Sequence, residues 1–259
     1  MMSIFRRINW IVLIGIVFLF ASQLGAENAD WNIKKSKHFI VYYRESPSRY
    51  VSKVTRKAEH YYRSITDYLG FRRFKFWTWD RRCKIYLYPG RQEYLDKTSS
   101  ISWSRGSVHV IRKEIITYVR DQEFFDYVLP HEMGHIIFRE MIGFDKKLPL
   151  WLDEAVAVLQ EKDRERYLAI AGKLIKKGDY IPLDELSGIK SYKSIDEQTF
   201  YSESASIIDF LLNKYGRDTF VAFCRRLRDG EEWEKALLRT YRFEDLKELQ
   251  EAWVNHLLK

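Results

Sequence analysis

The chain of 259 residues is poor in cysteine, proline and glycine, with 2, 5 and 12 of each. Cys83 and Cys224 are too few to staple a disulfide scaffold, and their separation fits neither a zinc finger nor a redox pair; they allow one disulfide at most. The composition also excludes a collagen-like fibre. No internal repeat or low-complexity linker divides the chain. After residue 26 no apolar run approaches the roughly 20 residues that a membrane-spanning helix needs. What is present is 46% hydrophobic, 31% charged and 16% aromatic residues. That is enough apolar surface for a substantial buried core, and too much for a disordered chain.

The N-terminus has its own pattern. Arg6 and Arg7, with no acid, precede the apolar run Ile8–Phe20 and the small-residue exit Ala21–Ala26. This is the pattern of a secretory signal peptide over residues 1–26, which predicts export to a periplasmic or extracellular location. Were the segment retained, residues 8–26 would anchor the protein in the membrane. No cysteine follows the run, so a lipid anchor on a processed cysteine is not expected. Removing residues 1–26 leaves 42 Lys and Arg against 36 Asp and Glu, a net +6. In an exported protein this excess points to a membrane surface or an anionic cell-wall polymer, and not to nucleic acid. The densest basic stretch interleaves Arg72, Arg73, Lys75, Arg81 and Arg82 with Phe74, Phe76, Trp77 and Trp79. It has two readings: contact with a lipid interface, or a strand or loop with core aromatics and solvated cations.

The organisation is α+β first and helical afterwards, in one domain over residues 31–259, with an α/β part to residue 120 and a helical part from 121. His38–Tyr43 and Lys84–Tyr88 have the β-branched and aromatic bias of strands, the second stopped by Pro89-Gly90. Ser107–Ile111 and Ile115–Val119 are further strand candidates. Val51, Val54, Ala58, Tyr61, Ile65 and Tyr68 recur at helical spacing, with Gly70 placed as a C-terminal cap. Gly178-Asp179, Pro182 and Ser187-Gly188 mark loops between later helices. Gly216 and Gly230 end two of them, and Leu246, Leu249, Trp253 and Leu257 form the stripe of a closing helix.

One motif carries chemistry. In His131-Glu132-Met133-Gly134-His135 the two histidines are four residues apart, on one helix face, so both imidazoles can address one ion. Zinc suits two neutral imidazoles and a carboxylate, with a fourth position left for water whose pKa falls to about 7. Glu132 projects beside the histidines as the base that accepts the water proton and returns it to a leaving amine. Nineteen positions after His135, in Leu150–Ala157, Glu154 supplies the third ligand; Asp153, one helical step away, is the alternative. The bland reading is a helix whose histidines satisfy neighbouring groups.

These residues resemble the gluzincin metallopeptidases, and most closely the bacterial peptidase MA-like domains. Both His131–His135 and Trp151-Leu152-Asp153-Glu154-Ala155 carry the resemblance. The His38–Tyr43 strand, the Tyr201–Gly216 helix and the closing helix with Trp253 extend it over nearly all of the chain after residue 26. The resemblance implies an α+β fold, with a mixed N-terminal sheet and helices packed on an active-site helix, and a helical C-terminal half. It also implies one zinc per chain, a peptide or protein substrate, and an edge strand that pairs with substrate, for which Ser107–Ile111, including His109, is the candidate. Tyr201 stands where relatives place a hydroxyl or imidazole near the developing oxyanion. Three departures stand out. Pro130 precedes His131, so the motif helix should begin or kink there, with Asp121–Leu129 a separate segment. Ala155 replaces a common glycine. Val158 stands where some gluzincins carry an acid that orients a histidine, so another residue must supply that partner. The alternatives to a peptidase are a catalytically silent zinc-site binding domain and a zinc amidase acting on cell-wall material.

Overall fold

A computed structural model describes residues 31–98, 107–119, 123–191 and 195–259; the signal-peptide expectation lies outside them. Five strands, β1 (Asn32–Lys35), β2 (Phe39–Tyr43), β3 (Cys83–Tyr88), β4 (Ser107–His109) and β5 (Glu114–Tyr118), form one sheet in the order β1-β2-β3-β5-β4. The central pairs β2–β3 and β3–β5 are parallel, and the outer pairs β1–β2 and β4–β5 are antiparallel. Parallel strands need long crossovers. The first is α1 (Ser48–Tyr68), and α2 (Arg91–Thr98) lies in the second. On β2, Phe39 and Val41 are buried while the residues between and after them are only half-buried. They join the buried stripe of α1, Val51, Val54, Ala58, Tyr62 and Ile65, in one hydrophobic core. Glu59 on α1 accepts from both the backbone N–H and Nδ1 of His38. Burial opposes its charge, but these bonds and one from Ser36 hold the carboxyl down at about 2.

Two sequence expectations change at this level. The predicted Ser107–Ile111 strand is shorter, ending at His109, because residues 110–113 form a tight turn closed by the Lys113 N–H on Val110 O. Strand β4 is nevertheless an edge of the sheet. The basic aromatic stretch is a loop with a 3₁₀ turn at Trp79–Arg81: Phe71 and Trp77 are core, Phe74 stacks on Phe76, and Arg72, Arg73, Lys75 and Arg81 are exposed.

The helical half follows. A π-helical segment, Phe124–Val128, runs into α3 (Leu129–Ile142), followed by α4 (Leu150–Val158), α5 (Arg164–Lys177), α6 (Leu183–Gly188), α7 (Glu197–Tyr215), α8 (Arg217–Arg228), α9 (Trp233–Tyr241) and α10 (Leu246–Leu257). Ser187-Gly188 thus closes a short helix instead of lying in a loop. Gly216, with φ at +84°, lets α7 stop and α8 start at one residue, in a backbone that L side chains rarely adopt. Leu249 and Trp253 bury the closing helix, and the Trp253 indole N–H donates to Ser206 on α7. Among the described residues no helix is long and apolar enough to cross a membrane. Both cysteines are free and buried, so they do not form the optional disulfide.

Candidate active site

The expected break before Pro130 takes another form. Backbone geometry stays helical through Val128 and Leu129, and the Leu129 N–H reaches Phe124 O, five residues back. Proline has no N–H to offer the ladder and its ring crowds the preceding turn. A widened π turn just ahead accommodates both, and such turns are frequent at functional sites. Helix α3 then buries His131, Glu132, Gly134 and His135.

Gly134 sets how closely α4 can approach. A Cβ there would lie 2.9 Å from Ala157 Cα and 3.1 Å from the Gln160 side chain, so only glycine permits this contact. With Trp151 and Leu152 in the core, α4 points fully buried Glu154 at the histidines. Donor atoms of His131, His135 and Glu154 all lie within 4.8 Å of one another. The two Nε2 atoms are 3.2 Å apart, and Glu154 stands 3.6 Å from His131 Nε2 and 3.8 Å from His135 Nε2.

Each imidazole has a carboxylate behind it. His131 Nδ1 donates to Glu161 at 2.7 Å, which turns Nε2 toward the cluster. Asp153 stands 3.5 Å from His135 Nδ1 and is gripped by Arg139 through Nε at 3.1 Å and Nη2 at 2.8 Å. Arg139 is itself fixed by donating to Lys146 O. The rival candidate Asp153 therefore faces away from the trio, toward the opposite nitrogen of His135. Glu161 was not visible as a candidate in the sequence. It fills the vacancy noted at Val158, from the turn that follows α4, where its N–H donates to Val158 O.

Electrostatics follow from burial and these neighbours. Burial opposes protonation of His131, but Glu154 and Glu161 outweigh it and push the imidazole up to about 10. His135 is raised against the same burial by Glu154 and Asp153. Burial likewise works against the Asp153 charge, yet His135 and Arg139 hold it well below the usual carboxylate range. Glu132 is raised, chiefly by burial, and its Oε2 has no hydrogen-bond partner among the described residues.

Four buried carboxylates, Glu132, Asp153, Glu154 and Glu161, thus share this region with Arg139 and the two imidazoles. Buried carboxylates need partners of opposite charge, a demand that protonated imidazoles or a bound cation can meet. A tetrahedral ion with bonds of about 2.0–2.1 Å to nitrogen holds its donors about 3.3–3.4 Å apart, close to the Nε2 separation found. Donor types and spacing fit a divalent metal at His131, His135 and Glu154.

Tyr201 is buried one turn inside α7, a helix that packs on α4 and α5. Burial, then Glu154, Glu197 and Glu161, raise its phenol strongly, so it stays a proton donor. Half-buried His109 accepts the Arg112 N–H on the edge strand β4. A concavity of about 800 Å³ on the outer face of α1, lined by residues such as Arg49, Lys53 and Lys57, includes none of the site residues.

A family model of the peptidase MA superfamily matches residues 79–259. The chain belongs to that superfamily, and its function is peptidase-like. No curated protein matches it.

Proposed function

We propose that this is an exported zinc metallopeptidase that hydrolyses peptide bonds, with Glu132 as general base. The observation that carries the reading is the buried trio His131, His135 and Glu154 beside a carboxylate, Glu132, with an unpartnered oxygen. A purely structural zinc site has four closed protein ligands and no use for such a base.

His131, His135 and Glu154 would hold one zinc per chain. Bound there, zinc would act as a Lewis acid on the scissile carbonyl and lower the pKa of water to about 7. Glu132 takes the proton of the attacking water and delivers it to the departing amine. Its burial, which raises its proton affinity, suits the transfer. Glu161 and Asp153 keep the two imidazoles oriented with Nε2 toward the trio. Tyr201, protonated throughout, donates to the oxyanion as negative charge develops. Substrate backbone adds to the sheet edge at β4, near His109, with little side-chain preference. Export rests on residues 1–26.

The test is zinc content and cleavage of a mixed peptide library by the full chain, beside Glu154→Ala, Asp153→Ala and Tyr201→Phe. Expected are about one zinc per chain, lost in Glu154→Ala and kept in Asp153→Ala, and slower turnover with zinc retained in Tyr201→Phe. A folded wild-type chain that takes up no supplied zinc would sink the reading.

A further inference from the structure

Strands β2, β3 and β5 are parallel, so the segments entering them gather at one end of the sheet. Backbone contacts tie these segments together. The Cys83 N–H donates to His38 O, the Lys84 N–H to Lys113 O, and the Arg82 guanidinium to Ser36 O. This end carries Trp79 and Ile111, the two most exposed large apolar side chains among the described residues, at 81% and 62%.

The exposure of Trp79 is built in. Two residues earlier, Trp77 is locked in the core, with its indole N–H donating to Glu140. Two residues after Arg81, the chain enters β3. Between them Arg82 Nε donates to Trp79 O at 2.7 Å, and the backbone of both tryptophans is left-handed, at φ +58° and +55°. A bulky aromatic in that conformation is strained, and here the strain gains no burial for the Trp79 ring.

Charge surrounds the two apolar tips. Residues 35–37, 79–82 and 111–113 hold six Lys or Arg and one Asp. Lys35, Lys37, Arg81 and Arg112 are exposed, whereas Glu114 and Glu140, the nearby acids of β5 and α3, pair with Lys84 and Lys113.

We infer that this end of the sheet docks on an anionic lipid bilayer, with Trp79 and Ile111 entering the interface and Lys35, Lys37, Arg81 and Arg112 on the headgroup phosphates. A hydrophilic polyanion would match the cations and leave the two apolar tips in water. A bilayer interface takes both, since tryptophan settles at headgroup level and each basic residue adds attraction to anionic lipid. Glu140, beside this surface, is eight residues along α3 from Glu132, about 12 Å. The inference is independent of the peptidase reading.

The experiment uses the full chain carrying Ile111→Cys, labelled with a polarity-sensitive fluorophore. Cys83 and Cys224 are buried, so the label goes to position 111. Vesicles of phosphatidylcholine containing phosphatidylglycerol should shift the emission to the blue, and phosphatidylcholine alone should not. Arg81→Gln or Arg112→Gln, added to the labelled chain, should each raise the lipid needed for half the shift about fivefold. Trp79→Ser should raise it at least as much, with unchanged circular dichroism in every variant. The same label at Asp184→Cys, on α6, should not respond. The docking proposal is overturned by no shift at 111, by an equal shift at 184, or by indifference to Trp79→Ser and both arginine variants. It is equally overturned by a response to soluble polyphosphate but not to vesicles, which would make the partner an anionic polymer.

Discussion

The helical half buries carboxylates in two different ways. Around α3 and α4, Glu154, Glu161 and Asp153 sit against two imidazoles and Arg139. On α7, fully buried Glu203 has, among the described residues, only the Ile181 N–H, which both of its oxygens accept at 3.2 and 3.1 Å. Burial alone pushes Glu203 up to about 8, against the pull of that N–H, so at neutral pH it is mostly an uncharged acid that ties a loop to a helix. Asp153, also buried, stays ionised because partners of opposite charge are within reach. A lone buried acid becomes neutral and structural, whereas acids held in the ionised form around two imidazoles make a place where a cation can bind.

The contrast can be broken at several points. The largest effect is expected from Glu132→Gln, which keeps the shape and removes the base. Turnover should fall about 10²–10⁴-fold while zinc content holds; loss of zinc as well would mean that Glu132 is a ligand. Next comes Glu203→Gln. Because the folded carboxyl is raised above its unfolded value, the unfolded chain loses its proton first. Wild-type stability therefore falls as pH rises from about 4.5 to about 8, by as much as about 4 kcal/mol. Gln still accepts from Ile181 but cannot ionise, so denaturant midpoints of variant and wild type should diverge across that window. Parallel curves would show that Glu203 is not neutral in the fold.

Glu161→Gln should weaken zinc binding about 10–100-fold, because the amide orients His131 less firmly than a carboxylate does. Competition with a chelator measures it, and equal affinities would make Glu161 a bystander. The smallest change is expected from Gly134→Ala. Overpacking against Ala157 costs about 1–3 kcal/mol. Better helix propensity returns about 1 kcal/mol, leaving about 1 kcal/mol net destabilisation in urea unfolding.

The two site motifs were legible because helical periodicity is local. His131 and His135 share a face whatever surrounds them, and Trp151-Leu152 predicts how the next helix is held. Glu161 was hidden because its place depends on where α4 stops and how the chain turns. That turn is tied to the π segment through the Lys162 N–H on Asp126 O, and no short-range pattern records it. Strand β1 escaped for a different reason. Asn32-Ile33-Lys34-Lys35 lies at a sheet edge, with Asn32, Ile33 and Lys35 exposed, so it lacks the alternation that marks half-buried strands. Helix α2 shows no apolar stripe, since Tyr94 is the one fully buried anchor among its described side chains.

By itself the amino-acid order determined the pairing of two imidazoles with a base on one helix, the α+β division and the family resemblance, since each rests on spacing within a few residues or on short motifs. Tertiary structure alone decided which carboxylate faces the histidines and which stands behind them. It alone brought Trp79 and Ile111 to one end of the sheet, because both outcomes depend on how distant segments pack.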